Sequence, residues 1–112
     1  MSQQVQVAVF KTTPRYPTPP PYPPSEAYPE YPFGLPPAPE SNAAYTACRG
    51  ALQLLGLDAE HFGTGHWNPL GVVVRPGDTV VLKPNFIRDF HDTRQDYMVS
   101  VITHGSVITL TM

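Results

Sequence analysis

Apolar and polar positions alternate in residues 4–11, QVQVAVFK. Val5, Val7 and Val9 share one face, while Gln4 and Gln6 open the other, which turns apolar at Ala8 and Phe10. Period two with β-branched residues predicts a strand, buried on one face at its start and on both near its end. The period changes in ESNAAYTACRGALQLLGLD, where Ala44, Cys48, Ala51, Leu52 and Leu55 recur at three- and four-residue spacing. That spacing predicts a helix with one apolar face, capped by Ser41 or Asn42 and closed by Gly56 at C′, with Leu57 folding back. Further on, VVVRPGDTVVLKPNF sets an apolar run on each side of Pro76-Gly77, a pair suited to the centre of a type II turn. Residues 79–82 have the unbroken aliphatic character of a strand covered on both faces. Pro84 stops that strand and leaves Lys83 and Asn85 at its C-terminal edge, where open α/β sheets bind ligands. In the closing MVSVITHGSVITLTM, Thr103 or Ser106 can supply a capping oxygen to a following helix, with Gly105 allowing close backbone approach. These elements predict an α/β class: a partial sheet with one clear helix.

Between the first strand and the helix the pattern breaks down, because twelve of the fifteen prolines fall between positions 14 and 39. Proline fixes its own φ and pushes its predecessor out of the helical region, so this segment is expected to be an extended strap. Four of the six tyrosines lie in it: Tyr16, Tyr22, Tyr28 and Tyr31. Two readings follow. The tyrosines pack the strap against the domain, since disordered linkers usually lack aromatics. Alternatively Pro19, Pro20, Pro21 and Tyr22 form a polyproline ligand for a WW-type partner.

With the strap set aside, roughly 85 residues remain for a core, near the size at which folding alone becomes marginal. The tail VITLTM is short, apolar and uncharged, an aggregation-prone edge if exposed, and the expectation is a truncated N-terminal fragment of one domain spanning residues 1–112. Seven Lys and Arg against nine Asp and Glu give a net charge of −2 with no basic cluster, which argues against nucleic acid as a partner. No run approaches the ~20 apolar residues of a membrane span, and the N-terminus lacks the features of a signal peptide, so a cytoplasmic protein is expected. One cysteine, Cys48, supports neither an internal disulfide nor an iron–sulfur cluster, and its place on the apolar face predicts a core thiol. His61 and His66 lie in a Gly-rich loop with no further local ligands, which predicts packing and exposure rather than metal ligation.

RPGDTVVLKPNF followed by THGSVI resembles the N-terminal part of a bacterial member of the family known as domain of unknown function 362 (DUF 362), whose members carry a hydrophobic strand ending in Lys-Pro-Asn and then a Thr-His motif opening a helix. The likeness runs from about Val5 to Ile108. It implies a larger α/β protein with no single established activity. Some members carry a cysteine-rich ferredoxin-like segment that a chain with Cys48 alone lacks.

Lys83, Asn85, Arg88, His91, His104, Gly105 and Ser106 are thus the candidate ligand-binding residues. Lysine and arginine suit an anionic group and asparagine can orient it, so the expected ligand is a phosphate or carboxylate. The competing reading of RDFHDTRQD is a solvated loop leaving a strand. A metal site at Asp89, His91, Asp92 and His104 has suitable donors but no motif that fixes their geometry. Catalysis by Ser106 lacks both a nucleophile-elbow context and an identifiable acid. Whether the chain is an enzyme stays open.

Overall fold

A computed structural model describes residues 4–13, 15–18, 20–85 and 103–109. Its principal element is helix α1, Ala43–Leu54; a 3-10 turn follows at Ala59–His61, and a short helix α2 spans Gly105–Thr109 and lies against α1.

Helix α1 forms for the local reasons its sequence gives. Asn42 caps it, its side-chain oxygen accepting from Tyr45 N–H at 3.2 Å. At the other end Gly56 takes φ +71°. Its N–H donates to Gln53 O, and Leu57 N–H donates to Leu52 O, at 2.9 and 3.4 Å. Those two bonds are the Schellman closure, which needs a left-handed residue at C′ and so favours glycine there. The Pro76-Gly77 turn also forms, with Gly77 at φ +92° and Asp78 N–H on Arg75 O at 3.0 Å.

Burial on α1 centres on Ala43 and Gly50, seven residues and nearly two turns apart. Ala44, Cys48, Ala51, Leu52 and Leu55 flank that line, and all five are half-buried. Cys48 was expected in the core but is half-buried, and that burial pushes its thiol pKa up. Phe10 lies on Gly50, where an added Cβ would stand 2.8 Å from the ring's Cγ. Gly50→Ala therefore sets a gain in helix propensity of about 1 kcal/mol against a clash worth about 1–3 kcal/mol. Phe10 belongs to a segment that makes no hydrogen bond to another described residue, so release of that segment is the cheapest response. Trypsin is expected to cut at Lys11 several-fold faster in the variant while helix content holds; an unchanged cutting rate would show that Phe10 does not anchor the segment.

The expected α/β sheet does not form among the described residues. Among the described residues none is in a strand. Residues 4–11 keep their period-two pattern, yet Val5 is 88% exposed and Val7 and Val9 are nearly as open. Residues 79–82 were expected to be covered on both faces, but Val81 is 85% exposed and Val80 and Leu82 are also open. Alternation states which residues suit a strand; a strand exists only when a neighbouring backbone takes its N–H and C=O groups. Neither segment has such a neighbour among the described residues. The fold is instead a Pro/Tyr strap wrapped on one capped helix, with a loop that meets the strap at Arg49.

Three anchors hold the strap. Asn42, only 1% exposed, donates from Nδ2 to Tyr22 O and Pro23 O, both at 3.0 Å, and from its backbone N–H to Ser25 Oγ at 2.6 Å. Thr18 donates from N–H and hydroxyl to the Glu40 carboxylate at 3.2 and 3.0 Å. Glu30 pairs with Arg49 of α1. Tyr28 stacks on Tyr45 at 5.5 Å and Tyr31 meets Tyr45 edge-on at 5.8 Å, so the strap's tyrosines do pack it against the helix.

Candidate functional site

The two motifs singled out in the sequence, Lys-Pro-Asn and Thr-His-Gly-Ser, meet in space. Asn85 N–H donates to Thr103 Oγ1 and Thr103 N–H donates to Asn85 O, each at 2.8 Å across eighteen residues of chain. Thr103 thus spends its hydroxyl on Asn85 and does not cap α2. The cap is His104: its Nδ1 accepts from Ser106 N–H at 3.1 Å. A backbone N–H can only donate, so Nδ1 carries the lone pair and the neutral ring holds its proton on Nε2. Ser106 Oγ, 2.8 Å from the same Nδ1, is accordingly its second donor. Ser106 was expected to cap through its own oxygen, but the partners are reversed.

The ring of His104 is clasped by the strap. Tyr16 stacks on it at 4.4 Å with planes 13° apart, and Tyr22 meets it edge-on at 5.3 Å. Burial holds the His104 pKa below the ordinary histidine value, so the neutral ring required by the cap is also the ring its surroundings favour. Gly105 lies under Tyr22, where a Cβ would come within 2.8 Å of Tyr22 Cε2. No other residue type fits that approach without moving the ring. Tyr22 itself takes φ 63°, a left-handed conformation costing a non-glycine residue roughly 1–2 kcal/mol, offset by its ring contacts and the Asn42 bond to its carbonyl.

The candidate ligand-binding residues therefore separate into groups. Lys83 and Asn85 are exposed; His104 and Gly105 are half-buried behind tyrosine; Ser106 is 1% exposed with its N–H committed to His104. Arg88 and His91 lie outside the described residues, as do Asp89 and Asp92 of the metal reading. Among the described residues no group of three or more His, Cys, Asp or Glu could hold a metal ion. His61 pairs with Asp58 at 2.6 Å instead, and His66 is exposed. The Asp58 hydrogen bond lifts the His61 pKa while that bond and Asn68 N–H lower that of Asp58. The pair's contribution is therefore lost as pH rises through the raised His61 value or falls through the lowered Asp58 value.

Tyr22 faces inward, which leaves the polyproline-ligand reading without support from the arrangement. Pro20 and Pro21 instead line a shallow apolar cleft of about 230 Å³ with Pro17, Pro23, Leu35 and Pro36. Pro19 lies outside the described residues.

Sequence reasoning missed a second cluster. Arg49 pairs through Nε with Glu30 Oε1, and its guanidinium stands over Tyr28 at 4.1 Å, Phe62 at 4.6 Å and Trp67 at 5.7 Å. Trp67 is 7% exposed and donates from Nε1 to Leu57 O at 2.9 Å, fastening the loop to the end of α1. The neighbouring Tyr45 phenol is pushed up to about 12, first by burial and then by the Glu30 charge. Its signal was legible in principle: Arg49 is the sole charged side chain on α1, and Glu30 is one of two acids in the strap.

No helix among the described residues is long and apolar enough to cross a membrane. Comparison of the chain with protein-family models, with curated proteins and with solved structures finds no match.

Proposed function

We propose that the junction of residues 83–85 with residues 103–106 binds a small anion, phosphate or carboxylate, through Lys83 and Asn85. The observation that carries this reading is the reciprocal Asn85–Thr103 pair, which ties the Lys-Pro-Asn segment to the clasped His104 segment. Tying the Asn85 backbone on both sides lowers the entropy cost of presenting its neighbours to a ligand. Lys83, two residues away, is an exposed point charge, the form in which lysine holds phosphate. Gly105 and Ser106 shape the junction rather than donate to the ligand, because the Tyr22 ring covers one and His104 occupies the N–H of the other. Arg88 and His91 follow closely in the chain and belong to the same reading as further donors. The two motifs are also those on which the resemblance to the DUF 362 family rests, and the reading takes the chain as the N-terminal part of such a protein.

Inorganic phosphate titrated into the labelled chain is expected to shift the amide signals of Lys83, Asn85 and Thr103, with a dissociation constant on the order of 1 mM. Lys83→Ala should weaken binding about tenfold, and added salt should weaken it as well, because an exposed charge is screened. Phosphate that perturbs none of these amides, or perturbs them equally in Lys83→Ala, would remove the site.

A further inference from the structure

We propose that His104 is a pH-operated latch for the strap: the neutral imidazole holds Tyr16 and Tyr22 against residues 103–106, and protonation at Nδ1 releases them.

The geometry makes Nδ1 an acceptor of two donors at once, the N–H and the hydroxyl of Ser106. Protonation replaces that lone pair with an N–H aimed at Ser106 N–H. Turning the ring over does not help, because an imidazolium carries a proton on both nitrogens and accepts nowhere. The serine hydroxyl can rotate to accept, but the backbone N–H cannot, so the cap of α2 is lost. The ring must then move, and it is the surface on which Tyr16 stacks and Tyr22 abuts. Tyr22 also holds a left-handed backbone that persists only while its surroundings enforce it.

Among the described residues, the groups facing His104 offer little to a cation. From the strap they are the phenols of Tyr16 and Tyr22, and from its own segment the hydroxyl of Ser106. On α1 the sole charged side chain, Arg49, is engaged by Glu30. Among the described residues no carboxylate pairs with the ring: the ion pairs there are Arg49–Glu30 and His61–Asp58. The Tyr16 face attracts an imidazolium, the one contact working against release. Burial of His104 and its seat at a helix N-terminus both act the other way.

Because the folded value is depressed, the closed latch binds fewer protons than the open one. Closure is in full force above the ordinary value of 6.5 and weakens as pH falls below it, down to the folded value of His104. The test is an NMR titration of the full chain from about pH 8 to about pH 4.5, a range that brackets the histidine transition. The ring signals of Tyr16 and Tyr22 are expected to move with the midpoint of His104, below 6.5, while those of Tyr28 and Tyr45 stay in place. Protection of the Ser106 amide, corrected for intrinsic exchange, should fall by up to about tenfold per pH unit within that window. His104→Asn keeps an acceptor oxygen for Ser106 N–H that does not titrate but removes the ring on which Tyr16 stacks, so the Tyr16 and Tyr22 signals should start displaced and show no dependence on pH in that window. His61→Ala should leave the dependence intact, since the His61–Asp58 pair responds to falling pH in the opposite sense. Tyrosine rings that hold their positions while His104 protonates would overturn the latch, as would an unaltered pH response in His104→Asn. Phosphate plays no part in this test, so the latch and the anion site stand or fall separately.

Discussion

Asn42→Asp is expected to detach the strap from α1 at neutral pH, although it preserves the helix cap. One carboxylate oxygen can still accept from Tyr45 N–H, as Asn42 Oδ1 does at 3.2 Å. The other takes the place of Nδ2, 3.0 Å from the carbonyls of Tyr22 and Pro23. Two donations become two acceptor–acceptor contacts, at a residue 1% exposed where no solvent relieves them. Two lost hydrogen bonds cost about 1 kcal/mol each, and groups left buried without partners about 1–3 kcal/mol more, so a loss of roughly 3–5 kcal/mol follows. For a small domain that is most of its stability. Asn42→Ala loses the cap as well but introduces no charge, and should cost less, about 2–4 kcal/mol. The two variants differ in their response to acid. The new carboxyl is buried and faces carbonyls, so its folded pKa is raised above the unfolded value. Its penalty is complete above the folded pKa and lifts as pH falls through it. The stability gap between Asn42→Asp and wild type should therefore narrow at acid pH, whereas the gap between Asn42→Ala and wild type should not. Urea melts followed by Trp67 emission read both, and an Asn42→Asp variant as stable as wild type at neutral pH would show that Asn42 does not hold the strap.

What could be read from the sequence was local. The α1 cap, its Gly56 closure and the Pro76-Gly77 turn depend on residues three to five apart, and all formed as their spacing dictates. The strap's packing was legible because four tyrosines in a proline segment have little other use. The sheet was not, since Val5–Val9 and Val80–Leu82 declare only suitability for pairing, and pairing depends on distant backbone. At the candidate site, the residue types of the two motifs were visible, and so was their relevance to each other. Their joining through Asn85 and Thr103 was not, because the bonds are partly backbone and backbone carries no sequence signal. His104 as a cap was hidden for a related reason: serine and threonine are the ordinary N-cap residues, and both stand close to it in the chain. Asn42 was recognised for one of its three roles, the one that is local.

Arg49→Met should be as damaging as the Asn42 change, through a different cause. It leaves Glu30 buried with no partner for Oε1, beside an Oε2 that already lacks a hydrogen-bond partner among the described residues. The Arg49 and Glu30 side chains are 19% and 8% exposed, so solvent screens the pair little, and breaking it from one side costs about 3–5 kcal/mol. Methionine fills much of the space between Tyr28, Phe62 and Trp67 and restores some sulfur–aromatic contact, so the stranded carboxylate dominates the loss. That attribution has a direct consequence. Pairing Arg49→Met with Glu30→Leu removes the stranded charge, and a buried ion pair replaced by apolar side chains of similar volume is often neutral or better. The double variant should therefore recover most of the stability lost by the single one, a coupling on the order of 2–3 kcal/mol in a double-mutant cycle. Tyr45 reports the same geometry independently. Burial first, then Glu30, raises its pKa to about 12, while Arg49 lowers it. Ultraviolet titration should place Tyr45 higher still in folded Arg49→Met and lower in Glu30→Leu, with the double variant above the ordinary 10.0 chiefly through burial. A single variant that unfolds no more readily than the double would mean that the rings, and not the ion pair, hold strap, helix and loop together.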